Sequence, residues 1–308
     1  MACNYPIRVW RSKEGKNNET GKWPIVFRQH DAISPYAMLI PCGKCSGCIL
    51  DRARQWAVRC MLEASLWTKN CFITLTYNNE NLPDGATLVK RDFELFMKRL
   101  RKKFGDGIRF YMCGEYGGQT GRPHYHACLF NFDFPDKYFF KKSESGSLLY
   151  RSPSLEKLWP YGFCSIGDVT VQSASYVARY ITKKISDVPI DYGDREPEYT
   201  NMSRKPGIAK SWLEKHYTSV YSVDRIVLSD KQKFKVPRYF DNLYEKLAPD
   251  VMASIRENRR KNMLRSSMRK FGDLGLRLHY LGLDVDIDEA YRKFNYNNLK
   301  IKRMKRGL

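Results

Sequence analysis

The residues of this chain that are best suited to chemistry are the histidines of His124-Tyr125-His126 and two later tyrosines, Tyr176 and Tyr180. Residues two apart on a β-strand point to the same side, so we expect His124 and His126 to present two imidazoles together. Residues four apart on a helix are also neighbours, so we expect Tyr176 and Tyr180 to present two phenols side by side. A metal held by the imidazoles and a phenol nucleophile supply the components for attack on a phosphodiester.

Glu115 is the candidate third metal ligand. It ends the strand before His124, and the glycine-rich loop 117–121 is expected to bring it back beside that histidine. Two imidazoles and one carboxylate leave coordination positions open, as a catalytic metal requires. Because phosphate oxygens are hard ligands, we expect Mg²⁺ or Mn²⁺ rather than zinc. On spacing alone, a solvated carboxylate at a strand end is an equally good interpretation of Glu115.

The tyrosine segment is predicted to be a helix over 173–185. Its apolar residues share one narrow arc, and Tyr176, Tyr180 and Lys183 fall on the opposite side. The tyrosines are therefore expected to lie outside the core. A phenol is neutral near pH 7 because its pKa is about 10, so we expect Lys183 or Lys184 to favour its ionised form.

The elements that must position these residues predict an α+β fold. The predicted strands are 71–77, 108–114, 124–132 and 163–171, and the predicted helices are 50–64, 93–104 and 173–185. Short strands joined to helices favour an antiparallel sheet with helices on one face. Tyr125, Ala127 and Leu129 form the expected core face, which would leave the imidazoles on the open face of the sheet.

Three regions are expected along the chain. They are a Cys-rich N-terminal segment with a helix (1–70), a central region that carries the candidate site (71–187), and a basic, mostly helical C-terminal region (188–308). The composition, 43% apolar and 14% aromatic, argues against a predominantly disordered chain. No apolar run is long enough to span a membrane, and the N-terminus lacks the layout of a secretion signal. An odd count of nine cysteines then indicates reduced thiols in the cytoplasm.

The charge of the chain points to a polyanionic partner. Lys and Arg number 54 against 33 Asp and Glu, which gives a net charge of +21. A basic run by itself is as often a solvated face as a contact surface. The candidate DNA-binding residues are Arg122, Lys98, Arg101, Lys102, Arg204 and Lys205.

The cysteines of the N-terminal region suggest a second metal site. Cys42, Cys45 and Cys48 lie within seven residues, a spacing typical of a zinc knot. The fourth ligand is open between Cys60, which also fits the apolar stripe of the first helix, and Cys3, which requires the N-terminal arm to fold back. An iron–sulfur cluster is disfavoured because the fourth cysteine and following proline of the ferredoxin run are absent.

Three segments together resemble the motifs of HUH endonucleases, the enzymes that initiate rolling-circle replication. The segments are Phe72-Ile73-Thr74-Leu75-Thr76-Tyr77, the run from Gly114-Glu115-Tyr116 to Arg122-Pro123-His124-Tyr125-His126, and Tyr176-Val177-Ala178-Arg179-Tyr180. The paired tyrosines resemble the two-tyrosine branch. Residues 42–45, 54–60 and 203–208 further resemble the replication initiators of microviruses in their gokushovirus-like group.

The resemblance implies an RRM- or ferredoxin-like palm and a defined reaction. His124 and His126 would be metal ligands, with Glu115 as the third. One tyrosine would nick the viral strand at the origin of single-stranded or supercoiled DNA, leaving a 5′-phosphotyrosine and a 3′-hydroxyl primer. The other would later cut the regenerated origin and allow rejoining into circular single-stranded DNA. A host polymerase and a host helicase would take part, in the cytoplasm of the bacterial host cell. No phosphate-cradling G-x-x-x-x-G-K-[ST] run is present in the sequence.

Two other interpretations remain open at this point. One is a non-catalytic nucleic-acid-binding protein with a cysteine zinc module, which explains the charge and the cysteines but not the histidine pair. The other is a single-tyrosine HUH transposase, which Tyr180 and the long basic tail disfavour.

Overall fold

The computed structural model describes residues 3, 5–18, 21, 23–118, 120–143, 146–179, 192–228, 232–262 and 265. The described residues form two compact units. One contains the residues up to Asp51 together with those from Arg256 onward, and the other is Arg52–Ile255.

The first unit contains a small antiparallel sheet. Its strands are β1 (Ile7–Arg11), β2 (Ile25–Val26) and β3 (Met38–Ile40), in the order β2-β1-β3. Helix α1 (Ser46–Ala64) begins directly after the Cys-rich run and ends in the second unit. The predicted N-terminal helix is thus confirmed, and it starts four residues earlier than the apolar stripe alone indicated.

The second unit is built on one seven-stranded sheet. Its elements are β4 (Asn70–Tyr77), α2 (Lys90–Phe104), β5 (Arg109–Tyr116), β6 (Pro123–Phe130), β7 (Tyr138–Lys142), β8 (Leu148–Arg151), α3 (Pro153–Leu158), β9 (Gly162–Gly167), α4 (Val171–Arg179) and β10 (Tyr199–Met202). The strand order is β10-β5-β6-β4-β9-β8-β7, and every neighbouring pair is antiparallel. After the sheet come α5 (Lys210–Val223), the β11 (Ile226–Val227) and β12 (Lys233–Phe234) pair, α6 (Arg238–Leu247) and a helix over 249–262.

The predicted α+β class with an antiparallel sheet is confirmed, and helices cover the sheet on both faces rather than on one. The expected core face of β6, with Tyr125, Ala127 and Leu129, packs against α2 and α3. The other face carries Cys128 and Phe130, which are buried in a second core with α1, α4, α5 and α6. Apolar residues on both sides of the same strand require cover on both sides.

Several elements escaped the sequence patterns. The strand predicted to reach 171 ends at Gly167, and β7, β8, α3 and β10 were not predicted. For α3 a signal existed, because the Ser152 hydroxyl caps the helix by accepting from the Leu155 N–H, and Pro153 occupies its first turn. Among the described residues, no helix combines the length and apolarity needed to cross a membrane. The part of the predicted basic tail from residue 266 onward lies outside the described residues.

A buried polar network ties α1 to β5, the strand that leads to Glu115. The Glu63 carboxylate accepts a hydrogen bond from Arg109 at 2.5 Å and one from the Ala209 N–H at 2.6 Å. Arg59, one turn earlier, donates to the Ile208 carbonyl at 3.0 and 3.2 Å. Its guanidinium lies 4.0 Å from the Trp56 ring centroid and 3.9 Å from that of Tyr239. The segments 54–60 and 203–208, which carried the more specific resemblance, therefore meet here.

Replacement of Glu63 by alanine is expected to lower the free energy of unfolding by about 3–5 kcal/mol, because Arg109 would keep a poorly solvated charge without its partner. Urea unfolding followed by circular dichroism measures the change. The control is Glu94→Ala, which removes an exposed ion pair with Arg91 and should cost no more than about 1 kcal/mol. Equal effects of the two substitutions would contradict the structural role of Glu63.

Candidate metal centre and its tyrosine

The register of three strands places the candidate ligands beside one another. In the β5–β6 pair Glu115 lies opposite His124. In the β4–β6 pair Thr76 lies opposite His124 and Thr74 opposite His126. The loop between β5 and β6 is closed by a hydrogen bond from the Gly117 N–H to the Arg122 carbonyl, 2.9 Å long. The predicted return of the chain, which brings Glu115 next to His124, is present in the structure.

Both imidazoles converge on a single carboxylate oxygen. His124 Nε2 lies 2.7 Å and His126 Nε2 lies 2.9 Å from Glu115 Oε1. The three side chains offer ligand atoms that all lie within 4.8 Å of one another, and Glu115 is completely buried. Two nitrogens and one carboxylate oxygen at one point form a group that could hold a metal ion.

A second set of contacts orients the two rings. His124 Nδ1 lies 3.0 Å from the Arg122 carbonyl oxygen, which can only accept, so Nδ1 carries the proton. In the neutral ring, Nε2 is then the atom with the free electron pair. His126 Nδ1 lies 2.9 Å from the Thr74 hydroxyl, a comparable contact. The sequence patterns did not single out Thr74, although strand alternation on β4 could have placed it on this face.

The charge on Glu115 is stabilised by the two histidines. Burial would by itself raise the pKa of this carboxyl, but the hydrogen bonds and positive charges of His124 and His126 lower it to about 2. The carboxylate therefore stays ionised at neutral pH. A buried negative charge beside two imidazoles is a suitable environment for a divalent cation.

Tyr176 lies at the same carboxylate oxygen. Its hydroxyl donates to Glu115 Oε1 at 2.9 Å, and its ring centroid lies 5.0 Å from that of His126. The predicted orientation of the helix holds for the described turns of α4, because Ala174 and Val177 are fully buried while Tyr176 is 42% exposed. Tyr180, Lys183 and Lys184 lie outside the described residues.

The site does not lie on an open sheet face, which corrects that expectation. His126 is buried, and α4 packs over β5 and β6 on the histidine face. The cause is again the apolar continuation of β6, since Cys128 and Phe130 on this face are covered by helices.

The candidate DNA-binding residues are distributed over both faces. Arg122 is at the site, where it donates to the Tyr77 carbonyl at 2.9 Å. Lys98, Arg101 and Lys102 belong to α2, on the face opposite the histidines, so they do not join the site. Arg101 also has an internal role, since it donates to the Ile108 carbonyl at 2.9 and 3.3 Å.

Arg204 and Lys205 follow β10 and are exposed. Their contact with DNA remains a prediction.

The candidate zinc ligands separate into two groups. Cys3, Cys42, Cys45 and Cys48 come together, with sulfur atoms within 4.8 Å of one another. Cys60 is fully buried in the core that contains Tyr111 and Cys128, so it is not part of that group.

Comparison with known proteins relates the chain to phage replication proteins. A family model described as a replication-associated protein of the ORF2 type matches residues 70–185. Replication-associated protein VP4 of Bdellovibrio phage phiMH2K is 38% identical over 259 residues, 81% of this chain and 79% of that protein. Replication-associated protein ORF2 of Spiroplasma virus 4 is 34% identical over 282 residues, 85% of this chain and 86% of that protein.

A third relative is more distant. Replication-associated protein ORF4 of Chlamydia phage 1 is 28% identical over 227 residues, 71% of this chain and 56% of that protein. No solved structure is significantly similar to the chain.

The lowered pKa of Glu115 predicts a specific acid sensitivity of the metal-free protein. Stabilisation by this carboxylate is complete above its ordinary pKa of 4.5 and is lost as the pH falls towards about 2. Wild type should therefore lose on the order of 3 kcal/mol more than Glu115→Gln across this window. Urea unfolding in EDTA at a series of pH values measures the difference, and parallel curves for the two proteins would refute the coupling.

Proposed function

Since the chain belongs to the family of phage replication-associated proteins, we propose that it initiates rolling-circle replication by cutting the viral strand at the origin. It would act in the cytoplasm of the bacterial host, on single-stranded or supercoiled DNA. The observation that carries the proposal is the contact between the Tyr176 hydroxyl and the Glu115 oxygen that both histidines approach.

The donor set fits a hard divalent ion. His124, His126 and Glu115 would hold it, and neighbouring ligands of an octahedral ion at 2.0–2.1 Å lie about 2.9 Å apart. The separations of 2.7 and 2.9 Å between the carboxylate oxygen and the two imidazole nitrogens are close to that value. Mg²⁺ or Mn²⁺ bound there would polarise the scissile phosphate and offset its developing charge.

The proposed step uses Tyr176 as nucleophile. Its oxygen forms a bond to the origin phosphorus, the bond from phosphorus to the 3′ oxygen breaks, and the phenol proton is replaced on that oxygen. One phosphodiester is exchanged for another, so the bond energy is kept in a 5′-phosphotyrosine and no nucleotide is consumed. Tyr176 is exposed enough for a strand to reach it, while Glu115 and His126 beneath it are buried.

The second tyrosine would complete the cycle. Tyr180 is proposed to cut the regenerated origin, after which the first 3′-hydroxyl attacks the phosphotyrosine and closes the circle. Lys183 and Lys184 would favour the ionised phenol. The free 3′-hydroxyl would prime a host polymerase, and a host helicase would open the duplex.

A covalent-adduct assay tests the proposal. Wild type is incubated with Mn²⁺ and single-stranded oligonucleotides that tile the viral strand, and adducts that survive denaturing electrophoresis are counted. We expect an adduct on the origin oligonucleotide, at least about tenfold less with Tyr176→Phe, and none when Tyr180→Phe is added, because the nucleophiles are then gone. Tyr36→Phe, at an 84% exposed position, is the matched control.

The alternatives give different results in the same assay. Tight binding by wild type without any adduct would identify a non-catalytic nucleic-acid-binding protein. Complete loss with Tyr176→Phe, together with intact rejoining by Tyr180→Phe, would identify a single-tyrosine reaction. His126→Ala should lower adduct formation at least about 100-fold, since it removes a metal ligand rather than a nucleophile.

A further inference from the structure

The first unit contains a four-cysteine group that the proposed nicking reaction does not use. Cys3 precedes β1, Cys42 and Cys45 lie between β3 and α1, and Cys48 is in the first turn of α1. All nine cysteines are among the described residues, and none forms a disulfide. We propose that Cys3, Cys42, Cys45 and Cys48 bind one structural zinc ion.

The distances between the sulfur atoms support a single tetrahedral ion. Four thiolates at about 2.3 Å from a tetrahedral zinc lie about 3.8 Å from one another. The sulfur atoms of Cys3 and Cys45 are 3.8 Å apart, and those of Cys42 and Cys48 are 4.0 Å apart. A disulfide needs about 2.05 Å. A multi-iron cluster would hold the sulfurs further apart, because the cluster itself lies between them.

Backbone N–H groups are directed at the sulfurs. The Cys42 N–H lies 3.3 Å from the Cys3 sulfur, and the Cys45 N–H lies 3.3 Å from the Cys42 sulfur. Such donors favour thiolates over thiols. Gly43 adopts a φ of 76°, which lets the short loop between Cys42 and Cys45 turn around the shared centre.

Burial makes thiolates costly without a cation. It raises the pKa of Cys3 and of Cys48 above the ordinary value for a thiol. Zinc binding would release these protons and neutralise the thiolates. The small sheet also needs a cross-link, since Val9 is the only buried residue in its three described strands.

Metal analysis of the full-length protein tests this site. Purified wild type should contain about one zinc per chain, and Co²⁺ exchange should give the intense charge-transfer absorption of tetrahedral thiolate coordination. Cys3→Ser should weaken zinc binding at least about tenfold and alter the cobalt spectrum. Cys3→His should keep the stoichiometry, because zinc accepts three cysteines and one histidine.

Cys60→Ala is the control that separates the two candidates for the fourth ligand, and it should leave metal content and spectrum unchanged. Wild type without bound zinc, or with iron in its place, overturns the proposal. A spectrum that survives Cys3→Ser but is lost in Cys60→Ala overturns the ligand assignment.

A separate observation concerns Phe163, which continues the row of the candidate metal site across the sheet. Glu115 pairs with His124, His124 with Thr76, and Thr76 with Phe163. Opposed residues in a sheet share a face, so Phe163 points to the histidine side. It is 66% exposed, which is unusual for a phenylalanine next to a buried site.

Local backbone geometry fixes this side chain in place. Gly162 has a φ of 154°, and a Cβ there would clash with the Thr76 carbonyl oxygen. Only glycine allows β9 to approach β4 this closely. Phe163 is therefore held on a rigid strand, two strand spacings or about 10 Å from His124, a distance that a stacked nucleic-acid strand covers in about three nucleotides.

We infer that Phe163 stacks on a base of the single strand a few nucleotides from the cleaved phosphate. This inference rests on the proposed function. An exposed aromatic ring binds any base through its π-face, and such stacking supplies affinity without sequence readout.

Binding and nicking measured separately test the role of Phe163. Phe163→Ala should weaken single-strand binding, measured by fluorescence anisotropy, roughly 5- to 150-fold. Phe163→Trp should retain binding, and the nicking rate at saturating oligonucleotide should be unchanged in both. The control is Phe139→Ala, an exposed phenylalanine that pairs with Tyr150 on the opposite face.

The outcomes distinguish the stacking inference from the proposed function. If wild type binds and nicks but Phe163→Ala equals wild type, the stacking inference fails while the proposed function stands. If wild type neither binds nor nicks single strands, both fail.

Discussion

The site depends on the electrostatic compensation of one buried carboxylate. Glu115 is removed from solvent, and a bare charge there would be strongly unfavourable. His124 and His126 supply donors from the neighbouring strand, and Tyr176 supplies a third from a helix. The same convergence that satisfies the charge brings a phenol to the centre where two imidazoles could share a cation. Folding and chemistry therefore impose the same geometry on these four side chains.

The surrounding architecture keeps that geometry rigid. β5 carries Glu115, and it is paired on both sides, by β6 and by β10. At its other end Arg109 is held by Glu63 of α1. Helices on both faces bury the sheet, so the strands cannot shift without opening a core. The Tyr176 edge of the site stays exposed, which is where a nucleic-acid strand needs access.

Patterns of short range predicted much of the molecule. The alternation in His124-Tyr125-His126 gave the correct faces, and the apolar arc of α4 gave the outward position of Tyr176. Those patterns follow from the fixed periods of strands and helices. They could not show that the histidine face is covered, because the covering helices come from distant parts of the chain. Nor could they identify Thr74, whose role depends on which strand pairs with β6.

The sequence by itself thus determined the reactive residues, their faces and the α+β class, since each of these is written in the spacing of neighbouring residues. Tertiary structure alone decided the contacts between distant positions. Tyr176 meets Glu115 across 61 residues, and Cys3 rather than Cys60 joins Cys42 across 39. The physical reason is that such contacts are set by strand order and by the packing of whole elements. A periodic pattern places a side chain on a face, but it does not specify which other face will be packed against it.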